Sequence, residues 1–144
     1  MGYRSDVAYT IRFTTEEAYR LFILEAKAKE LGACFSNDDS QWEEAECDDK
    51  KWQINFSVQH VKWYESYPDV AMHEKLLALA DEWIDSDHHV SIKDGEPNVE
   101  LTPHRIGYVF ARVGEDSNDV EERVRGNGEY EWLSVSRQIM GDWL

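Results

Sequence analysis

The sequence has little cysteine, little proline and no long apolar segment. It contains two cysteines and three prolines among 144 residues. Cys34 and Cys47 are too few for a disulfide framework, so we expect reduced thiols in a cytoplasmic compartment. No apolar run reaches the roughly 20 residues that a membrane span needs, and the opening residues MGYRSD lack the apolar stretch of a signal peptide. The chain is therefore predicted to be one soluble domain, residues 1–144, with no membrane contact.

Catalytic and cofactor-binding motifs are also missing from the sequence. There is no GxGxxG, and the glycines at 126 and 128 are not followed by the helix that a phosphate-binding loop requires. No serine stands in a glycine elbow. Cys34 follows a predicted helix end, where the helix dipole does not lower its pKa, and Cys47 stands among acids that raise its pKa. The sequence thus predicts no enzyme and no bound cofactor.

Two short segments resemble metal sites only superficially. His88 and His89 stand close to Asp85 and Asp87, but adjacent histidines point in different directions on a helix or a strand. His104 and Cys47 are the only candidates to complete a zinc site. The twelve-residue calcium-loop pattern is likewise not matched by the acidic segment that contains Asp116, Asn118, Asp119 and Glu122. We expect no metal at either segment.

Positive charge is scarce, with 15 Lys and Arg against 30 Asp and Glu, a net charge of −15. The excess is clustered in residues 38–49, 68–89 and 115–129. Such a chain is repelled by nucleic acids and anionic membranes and attracted to basic protein surfaces. The plainer interpretation is that the acidity serves solubility or adaptation to salt.

The first half of the chain shows two strand patterns and one helix pattern. Val7, Tyr9, Ile11 and Phe13 alternate with smaller or polar residues, which predicts a half-buried strand. Thr14 and Glu17 have capping-box spacing, and a helix follows with Gly32 as its expected end. Its predicted apolar stripe comprises Ala18, Leu21, Phe22, Ala28 and Leu31. An acidic loop then leads to an edge strand near 42–47, and a further strand is predicted from the alternation of Trp52, Ile54, Phe56 and Val58, with a bulge near 59–60.

The second half begins with the clearest helix, predicted over 69–84 with Pro68 in its first turn. Its predicted apolar stripe comprises Val70, His73, Leu76, Leu77, Ala80, Trp83 and Ile84. Residues 85–104 favour an exposed loop or weak hairpin, 105–113 a central strand, 115–122 an acidic loop, 126–128 a turn and 131–139 the last strand. The order β-α-β-β-α-β-β predicts an α+β fold, with an antiparallel or mixed sheet of about five strands and two helices on one face.

Three segments resemble a group of small uncharacterised acidic accessory proteins of tailed bacteriophages. These segments are MGYRSDV at the start, VKWYESYPDV before the second helix, and YVFARVGEDSNDVEERVRGNG with the later LSVSR. Together they cover about 45 residues of the chain. The resemblance implies a phage setting, and hence the host cytoplasm, but no defined activity. Small phage accessory proteins commonly bind and disable host enzymes.

The leading functional hypothesis is a non-catalytic inhibitor that binds a basic host protein, such as a nucleic-acid-binding or defence protein, through acidic patches. In its sharper form the carboxylates imitate phosphates. The expected contact residues are Asp38, Asp39, Trp42, Glu43, Glu44, Glu46, Asp48, Asp49, Glu115, Asp116, Asp119, Glu121 and Glu122. Trp42 is included because tryptophan is enriched at binding hot spots.

Two further hypotheses stay open. The chain could sequester a small nucleotide-like signalling ligand, for which the candidate ligand-binding residues are Arg4, Arg12, Tyr108 and Arg137. It could instead be a minor structural or assembly component. No direct contact with nucleic acid is expected in any of these cases, and a homo-oligomer is compatible with all of them.

Overall fold

A five-stranded antiparallel sheet in the order β2-β3-β1-β6-β7 forms the centre of the fold. The computed structural model describes residues 2–34, 44–85, 88–93, 96–101, 106–116, 118–126, 133–135 and 139–141. The elements in chain order are β1 (Ser5–Phe13), α1 (Glu16–Ala28), β2 (Glu44–Asp48), β3 (Gln53–Val61), α2 (Pro68–Asp85), β4 (His88–Lys93), β5 (Glu96–Leu101), β6 (Ile106–Gly114), β7 (Val120–Gly126), β8 (Leu133–Val135) and β9 (Ile139–Gly141). The α+β class, the antiparallel sheet and the two helices are confirmed.

Both helices pack on one face of this sheet. On α1, the Phe22 ring lies 5.2 Å from that of Phe13 in β1, and 5.3 Å from the ring of Trp83 in α2. Trp83 also donates from its indole nitrogen to Glu25 of α1 at 2.7 Å. Glu25 therefore interrupts the apolar stripe of α1 in order to accept a hydrogen bond from α2. We call this side of the sheet the helix face and the other side the back face.

The central strand β1 is buried on both sides, which corrects the prediction of a half-buried strand. Its odd-numbered residues Val7, Tyr9 and Ile11 are fully buried on the helix face, but Ala8 and Thr10 on the back face are buried as well. Since β8 and β9 lie close to β6, and β9 also to β1, this ribbon occupies the side that the helices leave. A strand covered on both faces need not show a strong period-two contrast.

The β-bulge predicted near 59–60 is confirmed. The register between β1 and β3 shifts between the Val7–Val58 and Ser5–Val61 pairs, and His60 has φ +57°. Asp6 accepts a hydrogen bond from the His60 backbone nitrogen at 2.9 Å, and Arg4 donates to the His60 carbonyl at 3.1 Å. The two charged residues that open β1 thus hold the bulge in place.

Helix α1 differs from its sequence prediction at both ends and along its stripe. Thr15, not Thr14, is the N-cap, and its hydroxyl accepts from the Ala18 backbone nitrogen at 3.1 Å. The helix ends at Ala28, and Glu30 with φ +63° reverses the chain before Gly32 is reached. The buried residues are Ala18, Tyr19, Phe22 and Ala26, whereas Leu21 and Ala28, assigned to the stripe, are exposed.

Helix α2 agrees closely with its prediction. It starts at Pro68, and Val70, His73, Leu76, Leu77 and Ala80 are buried. Leu79 is buried too, although the predicted stripe omitted it, while Trp83 and Ile84 are partly buried against the core.

The second half of the chain has more strands than predicted. Residues 88–101 contain the antiparallel β4–β5 pair, so of the two alternatives for this region the hairpin is correct. The segment 115–122, predicted as a loop, contains the start of β7, which pairs with β6 from Val113–Val120 to Gly107–Gly126. Instead of one strand over 131–139, the described residues there form the short strands β8 and β9. Gly126 ends β7 with φ +63°, and an added Cβ would lie 2.5 Å from the Ile106 carbonyl oxygen. Glycine is therefore required at the predicted turn.

Candidate binding surface

The first acidic stretch includes edge strand β2 and the turn after it. Glu44, Glu46 and Asp48 alternate along β2 and lie opposite Ser57, Asn55 and Gln53 of β3. The intervening Ala45 is buried and Cys47 packs against the core, so these two residues point to the helix face. The three acidic positions therefore share the back face. We call Glu44, Glu46 and Asp48 the acidic row.

Among the described residues, the donors that hold Glu46 and Asp48 of this row are neutral groups. Thr10 donates to the Asn55 side-chain oxygen at 2.7 Å, and the Asn55 amide nitrogen donates to Glu46 at 3.1 Å. Asp48 accepts from the backbone nitrogens of Lys50 and Lys51 at 3.0 and 3.1 Å. Glu46 is exposed. Because these donors are neutral, Glu46 and Asp48 are fixed in place without loss of their negative charge.

The next acid of the stretch, Asp49, lies at the helix side of the turn. It accepts a hydrogen bond from the Tyr19 hydroxyl of α1 at 2.6 Å. Burial of the phenol, followed by this hydrogen bond, raises the pKa of Tyr19 far above its ordinary value. Asp38, Asp39, Trp42 and Glu43 lie outside the described residues.

In the acidic stretch at 115–122, which we call the second stretch, two of the five acids are paired with arginines of the chain. Asp119 forms a two-pronged pair with Arg112, at 2.7 and 3.1 Å, and accepts from the Tyr3 hydroxyl at 2.6 Å. The Arg112 hydrogen bond, followed by that from Tyr3, lowers the pKa of Asp119 to about 2. Glu121 contacts Arg112 at 3.4 Å and Arg123 at 3.1 Å. The charge of these two acids is thus already compensated.

The other acids of this stretch are more available. Glu115 accepts from the Arg4 backbone nitrogen at 2.9 Å and stays exposed. Asp116 and Glu122 are also exposed, Glu122 on the back face of β7 opposite Ala111. The acidic contact residues therefore fall into two groups: a compact row on β2 and separate residues at the far edge of the sheet.

The candidate ligand-binding residues do not converge. Arg4 lies just before β1 and Arg12 near its far end, while Tyr108 points to the helix face, where its hydroxyl donates to Asp81 at 2.8 Å. Arg12 belongs to the back-face positions of β1, so Tyr108 and Arg12 lie on opposite sides of the sheet. Arg137 lies outside the described residues. These three described side chains do not share one pocket.

A groove of about 530 Å³ lies instead between α1 and the β2 turn. The exposed face of α1 contributes the apolar Ile23 and Leu24 and the cations Arg20 and Lys27, and Cys47 and Asp49 lie across from them. Arg20 is paired with Glu16 at 2.8 Å. The sequence signal for this groove is the face of α1 that carries the apolar Ile23 and Leu24 beside Arg20 and Lys27, a face that the predicted apolar stripe did not include.

Both cysteines are held as thiols. Burial raises the pKa of Cys34 to about 12. Burial also raises the pKa of Cys47 to about 11, against a smaller lowering by the Tyr19 hydrogen bond. A thiol with such a pKa provides almost no thiolate at neutral pH, so neither residue suits nucleophilic chemistry. Acidic neighbours contribute to the Cys47 shift, as expected, but burial is its main cause.

Within the described part of the chain, no group of three or more His, Cys, Asp or Glu side chains is arranged to hold a metal ion. Of the calcium-like residues, Asp119 is occupied by Arg112. Asp87 and His104 lie outside the described residues.

The sequence-based prediction did not include the residues that support the acidic row, or the arginines that pair with acids of the second stretch. Gln53, Asn55 and Ser57 alternate with Ile54 and Phe56, and this polar phase of β3 is a usable signal. The pairing of Arg112 in β6 with Asp119, the residue before β7, could be predicted only if β7 was identified.

No helix in the described part of the chain is long and apolar enough to cross a membrane. Comparison with protein-family models, with curated proteins and with solved structures finds no match to this chain.

Proposed function

We propose that the chain is a non-catalytic phage accessory protein that binds a basic surface of a host protein and inhibits it through the acidic row of β2. The observation that carries the proposal is the contrast between the two acidic stretches. Glu46 and Asp48 are held by neutral donors, whereas Asp119 and Glu121 are paired with arginines. Glu46 and Asp48 therefore offer a partner charge that no ion pair among the described residues compensates.

The spacing of the row suits a basic groove that normally binds nucleic acid. Residues i and i+2 of a strand are about 6.8 Å apart, so the row is a regular line of negative charges. Hydrogen bonds from the buried Thr10–Asn55 pair fix the middle carboxylate, which lowers the entropy lost on binding. A regular, rigid line of anions is the feature that a phosphate backbone presents to basic grooves. The inhibitor would occupy such a groove in place of nucleic acid.

The test removes the charges of the row and keeps its shape. The triple variant Glu44→Gln/Glu46→Gln/Asp48→Asn is expected to bind a basic partner, captured from host lysate, about tenfold more weakly at low salt. Three charges at about 0.5 kcal/mol each account for this factor. Asparagine can still cap the turn at position 48. Affinity is measured by surface plasmon resonance or calorimetry.

The matched control is Glu30→Gln/Glu65→Gln/Glu82→Gln, which removes three charges from exposed residues outside the proposed contact residues. It should change affinity less than twofold. Equal losses in both triple variants would mean that net charge alone drives binding, and no loss in either would contradict an acidic recognition surface. Duplex DNA should displace the parent protein from its partner if the row occupies a nucleic-acid groove.

The groove on α1 supports a second candidate function, the sequestering of a small anionic ligand. Its volume of about 530 Å³ is within the usual range of ligand sites. Ile23 and Leu24 would contact an apolar or aromatic body, and Lys27 an acidic group. Native mass spectrometry of protein purified from its host should then show an additional small molecule. The mass should disappear in Lys27→Glu but persist in the control Lys75→Glu, whose side chain is exposed on α2.

A further inference from the structure

We propose that the outer edge of β7 pairs antiparallel with β7 of a second copy of this chain, which joins two five-stranded sheets into one of ten strands. Among the described residues, β7 is the last strand of the sheet. The proposal concerns the edge opposite β2 and does not depend on the proposed function.

The backbone of β7 has hydrogen-bonding groups that point away from β6. Gly114 donates from its backbone nitrogen to the Asp119 carbonyl at 2.8 Å, so these two residues form a hydrogen-bonded pair. Bonded and non-bonded pairs alternate along an antiparallel ladder. Residues 121, 123 and 125 therefore bond to β6, whereas Val120, Glu122 and Val124 direct their N–H and C=O groups outward. The Val120 N–H already donates to the Asn118 carbonyl at 3.1 Å, so Glu122 and Val124 supply the outward N–H groups that a partner strand can use. Such an edge is a template for another strand.

One register of self-pairing joins these groups and matches the side chains of the back face. With Glu122 on the two-fold axis, Val120 lies opposite the partner's Val124, and the same pair recurs on the other side of the axis. These are the valines that the isolated chain exposes, by 43% and 54%. Pairing would bring them into contact across the new strand boundary, which is favourable for β-branched residues.

The helix-face side chains in the same register have complementary charges. Glu121 lies opposite the partner's Arg123, and Asp119 lies opposite the partner's Arg125. Each pair occurs twice because of the two-fold symmetry. These four residues already form ion pairs within the chain, so the contacts would extend existing pairs and would place no like charges opposite one another on the helix face. The one like-charged pair is Glu122 with its own copy.

Neighbouring registers are less favourable. Centring the axis on Arg123 places this arginine opposite its own copy, and it also removes the contact between the valines. Centring it on Glu121 opposes two glutamates on the helix face and sets Val120 against the partner's Glu122. The sequence of β7 therefore specifies one register.

The other edge of the sheet disfavours a second copy. In any antiparallel self-pairing of β2 that keeps its faces aligned, the acidic row lies beside the same row of the partner. Like charges on directly opposing residues are destabilising. The two edges thus differ: β7 is complementary to itself and β2 repels itself.

Sedimentation equilibrium of the full chain tests the proposal. The salt concentration is about 0.15 M, because a Debye length of about 8 Å weakens the repulsion between two acidic molecules. Across protein concentrations from about 1 μM to 1 mM, a range that covers weak to moderate dissociation constants, the parent should pass from monomer to dimer. A parent that stays monomeric throughout this range overturns the proposal.

Two substitutions at Glu122 should act in opposite directions. Glu122→Gln removes the like-charged pair and should strengthen the dimer several-fold. Glu122→Pro removes an outward N–H at a position where an edge strand tolerates proline, and it should leave a folded monomer. Thermal unfolding checks that each variant folds. A dimer of parental strength in a folded Glu122→Pro variant overturns the proposal, because the interface would then lie elsewhere.

A third substitution covers the case in which the proline variant does not fold. Val124→Asp places a carboxylate beside Glu122 on an exposed residue, so it should fold and weaken the dimer at least tenfold. Unchanged dimerisation of Val124→Asp counts against the β7 interface as directly as that of Glu122→Pro.

Discussion

Leu77→Ala is expected to lower the free energy of unfolding by about 2–5 kcal/mol, the range typical of a leucine truncated inside a core. Leu77 lies on the inner face of α2 and is only 1% exposed. It belongs to the same apolar cluster as Tyr9, Phe22 and Phe110, which come from β1, α1 and β6. Because this cluster contains residues from several strands and both helices, the cavity left by truncation cannot close by the movement of one loop. Chemical denaturation with an unchanged m-value measures the loss.

Leu24→Ala is the matched control for this truncation. It removes the same atoms from a helix, but Leu24 is 64% exposed on α1. Since alanine is also the better helix former, the expected change is below about 0.5 kcal/mol in either direction. A loss below about 1 kcal/mol for Leu77→Ala, or equal losses for the two variants, would contradict the packing of α2 on the sheet.

The contrast between Leu77 and Leu24 also explains which parts of the fold could be predicted. Helix α2 has one apolar side, so the spacing of its apolar residues correctly predicted the face that packs on the sheet. Helix α1 has apolar residues on two sides: Phe22 faces the core, and Leu21 and Leu24 face outward. A periodic pattern cannot tell which of two apolar sides of a helix faces the core, and Leu21 was therefore assigned to the wrong side.

Strand β7 was missed for a different reason. Its sequence VEERVRG alternates in burial between exposed and half-buried, and its inner positions carry charges rather than apolar side chains. Arg123 is half-buried because its guanidinium lies 4.1 Å from the centre of the Phe110 ring and pairs with Glu74 of α2 at 3.0 Å. An arginine that packs on a ring and pairs with a helix occupies a position usually taken by a valine or leucine. Single-residue propensity does not reveal such a strand.

The location of the acidic residues could be predicted from the sequence, but which of their carboxylates are neutralised could not. The sequence pattern identified both of these acidic stretches and predicted the edge strand β2, which contains part of the first. Which acids are neutralised depends on contacts between distant parts of the chain, such as Tyr3 with Asp119. Residues 116 positions apart cannot be paired from sequence pattern alone.

The two proposed surfaces lie at opposite edges of one sheet, and this arrangement has a consequence for binding. In a dimer joined through β7, the two β2 strands would form the outer edges of ten strands. Nine spacings of about 4.8 Å separate them by about 43 Å. Two acidic rows at this distance could occupy two basic sites of an oligomeric host protein at once. The second contact would then form at a high effective concentration, which raises avidity without any new contact.

As the pH is lowered, the protein is expected to lose stability before its carboxylates become protonated. The cause is the buried side chain of His73. The imidazole is fully buried on the inner face of α2. Its Nδ1 lies 2.6 Å from the Tyr9 hydroxyl, and its ring centre lies 4.2 Å from that of Phe56 and 5.8 Å from that of Trp63. Burial among these rings lowers the pKa of His73 from 6.5 to about 3.

The direction of the pH effect follows from this lowered pKa. The unfolded chain takes up a proton on this histidine near pH 6.5, but the folded chain does so only near pH 3. Between these values the unfolded state binds more protons, so stability is fully present above pH 6.5 and falls as the pH is lowered. At pH 5 the loss from this one group is about 2 kcal/mol. Carboxylates such as Asp119, with a pKa of about 2, contribute mainly below pH 4.

Urea denaturation at pH 7 and pH 5 measures the effect, and two histidine variants assign it. His73→Asn keeps an acceptor for the Tyr9 hydroxyl, so it should be less stable than the parent at pH 7 but should lose much less stability on going to pH 5. The control is His60→Asn, because His60 is exposed at φ +57°, a conformation that asparagine adopts readily. This variant should keep the full pH dependence of the parent. A parent with equal stability at pH 7 and pH 5, or a His73→Asn variant with the parental slope, would show that His73 is not the group that responds to acid.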